Sequence, residues 1–351
     1  MDNYYMSQAI AEAKKGFRQT YTNPLVGAVI VKDNHVIARG AHLQYGHEHA
    51  EKNAILHCQT PEELVDSTLY VTLEPCHHRG KQPPCTQAIL AAGIKKVVVG
   101  QLDPNPLVAG KGLTFLKEEG IEVVTGVLEE EARGLNSHYN FYYENQRPYM
   151  VLKQAVSLDG KIAVLGKRTA LTDTETNGFV HDERDDYQAI LVGADTVLID
   201  NPRLLGAGTS LYPIVRVILD EAGRVFERRD LQIFTDDSAP ILIFSKHKVT
   251  DLPSHVKVID LPEFSIANIL RVLYDEKIQS VYVEGGAAVH DAFLDSGLWD
   301  EIISYVTPKL IGGNGKAAMS SFRLVEEVLE LQDFSCQKIG NTIRLSAKRR
   351  T

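Results

Sequence analysis

Two short segments carry residue types that can bind a metal and move protons: His49-Ala50-Glu51, and Pro75-Cys76 followed, after eight intervening residues, by Cys85. One imidazole and two thiolates form a borderline-soft ligand set suited to zinc. They leave a fourth position open, whereas a structural zinc site is normally closed by four protein ligands. A cation held in this way lowers the pKa of a bound water toward ~7 and supplies hydroxide at neutral pH. Glu51, two residues after His49, cannot easily share its direction as a ligand but can reach that water, which makes it the expected proton shuttle. Taken singly, each residue has an ordinary reading as a core thiol or a loop histidine; the joint order of types is what points to a metal. Cys58 and Cys336 have no partner motif and are expected to be buried structural thiols, and His57 and His77 to be bystanders.

The elements that must position these groups read as an alternation of helices and strands. Tyr5–Lys15 places Met6, Ala9, Ile10 and Ala13 on one helical face, and Leu25–Val31 is a buried strand. The turn KDNH leads through a hairpin into Val36–Gly40. A helix over Ala50–Cys58, a strand over Thr68–Leu73, a helix over Thr86–Ala92 and a strand over Lys96–Gly100 follow. A helix over Leu113–Glu119, a strand over Glu122–Thr125 and a helical stretch over Glu129–Tyr143 complete a sheet covered on both faces. The pattern breaks at NQRP (145–148), which sets a boundary near residue 147. Further apolar runs lie at Tyr149–Val156, Ala189–Val197, Pro213–Asp220, Ile241–Ser245, Val281–Glu284 and Ile302–Val306. Helical signals lie at Ile266–Tyr274 and Ala292–Gly297. The fold class is therefore α/β, with domains over 1–146 and 147–351.

The whole chain sets limits on function. Its 351 residues exceed one core of ordinary size. A net charge of -9 argues against a general nucleic-acid binder, which needs a basic footprint. No apolar run approaches the ~18 residues of a membrane span, and the first residues lack the basic start and apolar stretch of a secretion signal, so a cytoplasmic location is expected. Four cysteines in a reducing compartment are better tested as ligands or core residues than as disulfides.

His-x-Glu followed by Pro-Cys and a second Cys is the pattern of the zinc nucleobase deaminases. More closely, TNPLVGAVIV (22–31), HAEKNAI (49–55), TLEPCHHRGKQPPC (72–85) and DPNPLVAGKG (103–112) resemble the bifunctional deaminase-reductase of riboflavin biosynthesis, whose long cysteine gap ends in PPC. The resemblance spans essentially the whole chain and is densest up to residue 165. It implies a cytidine-deaminase-like domain followed by a dihydrofolate-reductase-like domain. The implied substrate is 2,5-diamino-6-(5-phosphoribosylamino)pyrimidin-4-one, which loses its 2-amino group by hydrolysis. Asn23, His42, His78 and Lys81 match substrate-contacting positions of the family, and a lysine beside the metal loop suits a phosphate.

In the second half, the residues alone give one cofactor signal, Gly285-Gly286 after an apolar strand, where backbone N–H groups can meet a phosphate. The cluster Gly312–Lys316 lacks Walker spacing and reads as a flexible turn. SLDGKIA (157–163), AILVGADTVLIDNPRL (189–204), VYVEGG (281–286) and TPKLIGG (307–313) resemble the family's NADPH-dependent reductase domain, which converts the ribosyl group to ribityl. By that resemblance Val156, Thr196, Asp200 and residues 286–292 meet the cofactor, and Lys153, Arg184, Leu204 and Glu284 meet the substrate. The chain departs from the family at Gly166–Thr172, where a serine and a tryptophan are missing, and at Leu205-Gly206-Ala207, where Thr-x-Arg is expected. Loss of a bidentate guanidinium leaves the phosphate to Arg168 or Arg203. The expected assembly is a homo-oligomer acting on a small pyrimidine ribose-phosphate, with zinc and NADPH as cofactors and no nucleic-acid or membrane partner. Two alternatives stand beside it: a deaminase whose second domain has lost reduction or changed substrate, and a non-catalytic zinc-stabilised binding module.

Overall fold

A computed structural model describes residues 1–78, 83–165 and 169–350. The chain forms two compact units, Met1–Gln146 and Arg147–Thr351. Among the described residues, no helix is long and apolar enough to cross a membrane.

The first unit runs α1 (Asp2–Ala13), β1 (Gly27–Lys32), β2 (His35–Ala41), α2 (Ala50–Leu56), β3 (Thr68–Leu73), α3 (Cys85–Ala91), β4 (Lys96–Gln101), α4 (Lys111–Glu118), β5 (Glu122–Thr125), α5 (Glu129–Leu135) and α6 (Ser137–Asn145). Its sheet has the order β2-β1-β3-β4-β5. The β1–β2 hairpin turns on Asp33 and Asn34, with φ of 48° and 64°, a conformation that short polar side chains tolerate. From β3 onward the strands are parallel, linked through helices. Alternation along the strands divides the core. Ile30, Val71 and Val99 pack with Ala54, Ile89 and Leu116 on one face, while Val29, Tyr70 and Val98 pack with Met6 and Ala9 of α1 on the other.

The single helix expected over Glu129–Tyr143 is two, broken at Asn136. The Asn136 side chain accepts the Leu25 N–H at 2.7 Å and donates to the Leu25 carbonyl at 2.8 Å, so it splices the break to the approach of β1.

The second unit contains β6 (Tyr149–Ser157), β7 (Lys161–Val164), α7 (Thr174–Arg184), β8 (Ala189–Gly193), α8 (Ala194–Asp200), β9 (Val215–Leu219), α9 (Gln232–Thr235), β10 (Ile241–Ser245), β11 (Val256–Asp260), α10 (Ile266–Asp275), β12 (Ser280–Val283), α11 (Ala287–Ser296), β13 (Glu301–Thr307), β14 (Gly315–Ala317), β15 (Leu331–Ile339) and β16 (Thr342–Arg349). The large sheet has the order β11-β10-β9-β8-β12-β6-β13-β16-β15, parallel except for its last two strands. The run Ala189–Val197 is not one element: the strand ends at Gly193, and Ala194 opens α8. Gly312–Lys316 is not a free turn either. The Asp159 carboxylate accepts the N–H groups of Ile311 and Gly312, and Gly315 enters a strand paired with β7. Cys336 is exposed rather than buried, because β15 is the edge strand and lies uncovered along nearly its whole length; Cys58 is buried.

The fold bears directly on the metal-ligating segment through Gly40. A Cβ at that position would lie 2.3 Å from the Ala54 nitrogen and 2.4 Å from the Ala50 oxygen, so α2 rests directly on β2 there. Gly40→Ala is expected to lower stability by about 1–3 kcal/mol, as overpacking does. Because the shift is forced on the helix that follows His49, zinc content should fall as well. Denaturant unfolding and metal analysis check both, and an unchanged midpoint with full zinc contradicts the packing argument.

Candidate active site

The carboxyl ends of β3 and β4 and the start of α2 converge on a cavity of about 270 Å³ in the first unit. Open parallel sheets place ligand sites at such strand ends. His49 is the N-cap of α2, Cys76 follows β3, and Cys85 is the first residue of α3. Their ligand atoms lie within 4.8 Å of one another, and His49 Nδ1 is 3.5 Å from Cys76 Sγ and 3.3 Å from Cys85 Sγ. Nδ1 is thus the nitrogen turned toward the thiols.

The two thiols titrate against each other. Hydrogen bonding from the Cys85 thiol and from His49 holds Cys76 well below the usual thiol range, while the neighbouring Cys76 and burial push Cys85 up. The Cys85 backbone N–H, at the start of α3, also points at Cys76 Sγ at 3.5 Å. Such a buried thiol-thiolate-imidazole group is poorly compensated without a cation, and it fits zinc.

Glu51 lies beside the ligand group and is buried at 3 % exposure. Its Oε2 has no hydrogen-bond partner among the described residues. Burial raises its carboxyl to about 7, the Cys76 thiolate adding to the effect. A carboxyl with an uncommitted oxygen and a pKa near neutrality can take and return a proton at working pH.

The remaining sequence candidates are partly assembled. His42 is buried, and its Nδ1 lies 2.9 Å from the Glu48 carbonyl. A carbonyl only accepts, so Nδ1 carries the proton and Nε2 accepts from Asn23 Nδ2 at 3.1 Å. Burial lowers the His42 pKa and keeps the ring neutral. Asn23 and His42 line the cavity, as does His78, which is exposed at its rim. Lys81 and Arg168 lie outside the described residues. His77 is not among the cavity-lining residues; it stacks on Phe115 at 4.3 Å and meets Thr86 Oγ1 at 2.9 Å.

Sequence reasoning missed a second wall of the cavity: Glu74, Asp103, Asn105, Tyr139 and Tyr143. Asp103 accepts the Tyr139 hydroxyl at 3.0 Å and the Asn105 N–H at 2.9 Å, and burial raises its carboxyl to about 6. The signal was present in DPNPLVAGKG, a polar loop after an apolar strand, and in the i, i+4 pair Tyr139 and Tyr143.

In the second unit Lys153, Arg184 and Glu284 come together. Arg184 grips Glu284 with two bonds, of 2.7 Å and 2.8 Å, and Lys153 Nζ stands 3.7 Å from the same carboxylate. Burial opposes the charge of Glu284, yet Lys153 and Arg184 together hold it low, at about 2. Burial also lowers the Lys153 pKa, and Glu284 opposes that shift. Arg184 Nη1 donates to the Leu205 carbonyl at 2.8 Å. Leu204 is buried with φ of 57°, a strained backbone for leucine, and Val156 is buried near the end of β6. Arg203 instead pairs with Asp236 at the surface, at 2.6 Å. Thr196 and Asp200 ride on α8, which begins at the end of β8. Gly193 ends β8 and Gly285 lies two residues past the neighbouring β12, and a Cβ on either would fall 2.9 Å or 2.4 Å from Val289 of α11. Gly286 faces open space at the uncapped start of α11, an arrangement that fits a phosphate-bearing dinucleotide.

Comparison with known proteins agrees with this division. Residues 1–101 match the cytidine and deoxycytidylate deaminase zinc-binding region, and residues 148–345 match the RibD C-terminal domain. The chain is 42% identical over 360 residues to the riboflavin biosynthesis protein RibD of Bacillus amyloliquefaciens, covering 99% of this chain and 96% of that protein. The chain belongs to the RibD family. Among solved structures, RibD of Acinetobacter baumannii is similar with a TM-score of 0.92 and 36% identity, covering 100% of this chain and 99% of that one. The diaminohydroxyphosphoribosylaminopyrimidine deaminase/5-amino-6-(5-phosphoribosylamino)uracil reductase of Thermotoga maritima is similar with a TM-score of 0.86 and 38% identity, covering 99% of each chain. Like the RibD family as a whole, this chain is a bifunctional deaminase and reductase of riboflavin biosynthesis.

If His49, Cys76 and Cys85 are the ligands, removing one thiolate leaves too few of them. Cys76→Ala and Cys85→Ala are expected to lose most of their zinc, measured by metal analysis of the purified proteins. Full zinc in either variant overturns the ligand set.

Proposed function

We propose that the first unit hydrolyses the 2-amino group of 2,5-diamino-6-(5-phosphoribosylamino)pyrimidin-4-one, and that the second uses NADPH to reduce the ribosyl group of the product to ribityl. The observation that carries the first half is Glu51, buried beside the three ligand atoms with one oxygen uncommitted. Bound zinc would supply the Lewis acidity that makes water a nucleophile near neutral pH. Glu51 accepts a proton from the incoming water and returns it to the departing nitrogen as ammonia leaves. Neutral His42, oriented by Glu48 and Asn23, adds no charge beside the metal group. Asn23, His42 and His78, with Lys81, are the residues assigned to the substrate. A non-catalytic zinc module has no use for Glu51, since a carboxyl oxygen buried without a partner weakens the fold.

In the second unit, bound NADPH would supply hydride, held by Val156, Thr196, Asp200, Gly285 and Gly286. Lys153, Arg184, Leu204 and Glu284 face the substrate. In the pair Arg203–Asp236 the guanidinium is exposed, and pairs at the surface are worth about 0–1 kcal/mol. Arg203 can therefore exchange Asp236 for the substrate phosphate, sharing that role with Arg168, whereas Arg184 is held in a buried pair and cannot. The same reading includes a homo-oligomer. The edge strand β15 exposes Leu331 and Phe334, and Phe322, Val325 and Val328 lie uncovered in the segment before it, as apolar surface that a second copy would cover.

Glu51→Gln keeps the size of the side chain but cannot relay the proton. It is expected to retain zinc while ammonia release falls by ~10²-fold to 10⁴-fold or more. Release at the wild-type rate would assign the proton transfer to another group. For the second unit, NADPH titration followed by nicotinamide fluorescence should saturate, and NADPH should be oxidised when the deaminated intermediate is supplied. Saturation without oxidation would mean a changed substrate; no binding at millimolar NADPH would leave only the fold.

A further inference from the structure

The segment DPNPLVAGKG carries two of the polar residues that wall the deaminase cavity, Asp103 and Asn105. The loop contains two prolines and two glycines, only its last residues are helical, and within it the side chains make short local ties, the Asn105 N–H to Asp103 and the Leu107 N–H to Asn105. The loop is held from outside, by Glu74.

Glu74 follows the last residue of β3, and only Pro75 separates it from Cys76. It is buried at 3 % exposure. Its Oε2 accepts the Gly110 N–H at 3.0 Å and lies 3.4 Å from the Asp103 N–H, so one oxygen spans the two ends of the loop. The Glu74 backbone N–H donates to the Gln101 carbonyl at 3.0 Å, which fixes the base of the side chain to the end of β4. Independently, a Cβ at Gly112 would fall 2.0 Å from the Pro75 oxygen, so the far end of the loop lies against the peptide that carries Cys76. Between these ties Asp103 points one oxygen at the Tyr139 hydroxyl and the Asn105 N–H, and Asn105 Nδ2 donates to the Tyr143 hydroxyl at 3.3 Å. The other Glu74 oxygen, Oε1, is buried with no hydrogen-bond partner among the described residues. An orphaned carboxylate oxygen is costly to bury, so a residue retained solely for stability would be better served by a side chain that leaves none.

We propose that Glu74 is a positioning residue of the deaminase: by clasping the Asp103 and Gly110 amides it sets where Asp103 and Asn105 stand in the cavity, and so sets how the substrate ring is gripped. This rests on the deaminase reading of the first unit. The clasp requires reach and an acceptor oxygen rather than charge. Glutamine keeps both, for its amide oxygen can accept the Gly110 N–H. Aspartate keeps the charge but is one methylene too short to reach the amides.

The test compares Glu74→Gln, Glu74→Asp and Glu74→Ala in the full-length, zinc-loaded chain. Hydrogen exchange at the Gly110 amide reads the clasp without reference to activity. Deaminase KM and kcat read its consequence, and zinc content and reductase rate with supplied intermediate serve as controls. Protection at Gly110 is expected to be wild-type in the glutamine variant and to fall at least tenfold in the aspartate and alanine variants. Those two should retain zinc and reductase activity and show a KM raised tenfold or more, with kcat changed by less than about threefold. The proposal is overturned if aspartate restores the wild-type KM while glutamine does not, since charge would then be what matters. It is equally overturned if Gly110 protection is the same in all variants, or if KM is unchanged. Should the alanine variant fail to fold, the opposed behaviour of glutamine and aspartate still decides it. Wild-type protein that releases no ammonia would refute the deaminase reading, while the Gly110 exchange pattern would still report on the clasp.

Discussion

Three ligand atoms from distant parts of the chain must meet within a few ångströms, and two of them are buried thiols that cannot both ionise without compensation. Much of the first unit follows from this requirement. The imidazole comes from the cap of one helix, one thiol from the end of a strand and the other from the first turn of a second helix. The parallel part of the sheet, β3 to β5, brings such ends to one edge, where its strands finish and their return helices start. Gly40, which lets α2 rest on β2, and Asn136, which ties the break between α5 and α6 to Leu25 ahead of β1, support these elements. A cation at the meeting point satisfies the thiolates, and Glu51 then lies beside it with an oxygen to spare.

The second unit uses the same geometry for different chemistry. Strand β12 is inserted between β6 and β8, so the chain reverses its direction of travel across the sheet at that point, which is where open parallel sheets generally take their ligands. Gly193 at the end of β8 and Gly285 just past β12 let α11 approach closely, and α11 starts without a side-chain cap. Next to Gly285 in the chain, Glu284 joins Lys153 and Arg184 in a buried ionic group whose opposite charges would be expensive to separate.

The sequence made some of this legible and hid the rest for physical reasons. The strands Thr68–Leu73 and Glu122–Thr125 fall where apolar runs placed them, and His49, Glu51, Cys76 and Cys85 do meet. Their residue types are chemically rare, and their order is fixed by the metal. Asp103, Asn105 and Glu74 escaped because acidic and amide residues in a loop read as solvated surface until the burial around them is known. Strand β15 escaped because an edge strand exposed along nearly all its length has no apolar period, and the same exposure accounts for Cys336. The join between β8 and α8 was invisible, since a buried strand and a buried helix start are equally apolar in sequence.

We propose a metal site built for catalysis, with the chain supplying one nitrogen and two sulfurs and leaving one position open. X-ray absorption at the zinc K-edge of the intact, zinc-loaded chain tests this most directly. The account predicts two sulfur scatterers at about 2.3 Å and two light scatterers at about 2.0 Å, one being the His49 imidazole and the other solvent. A shell of three or four sulfurs, or one with no sulfur, would contradict it.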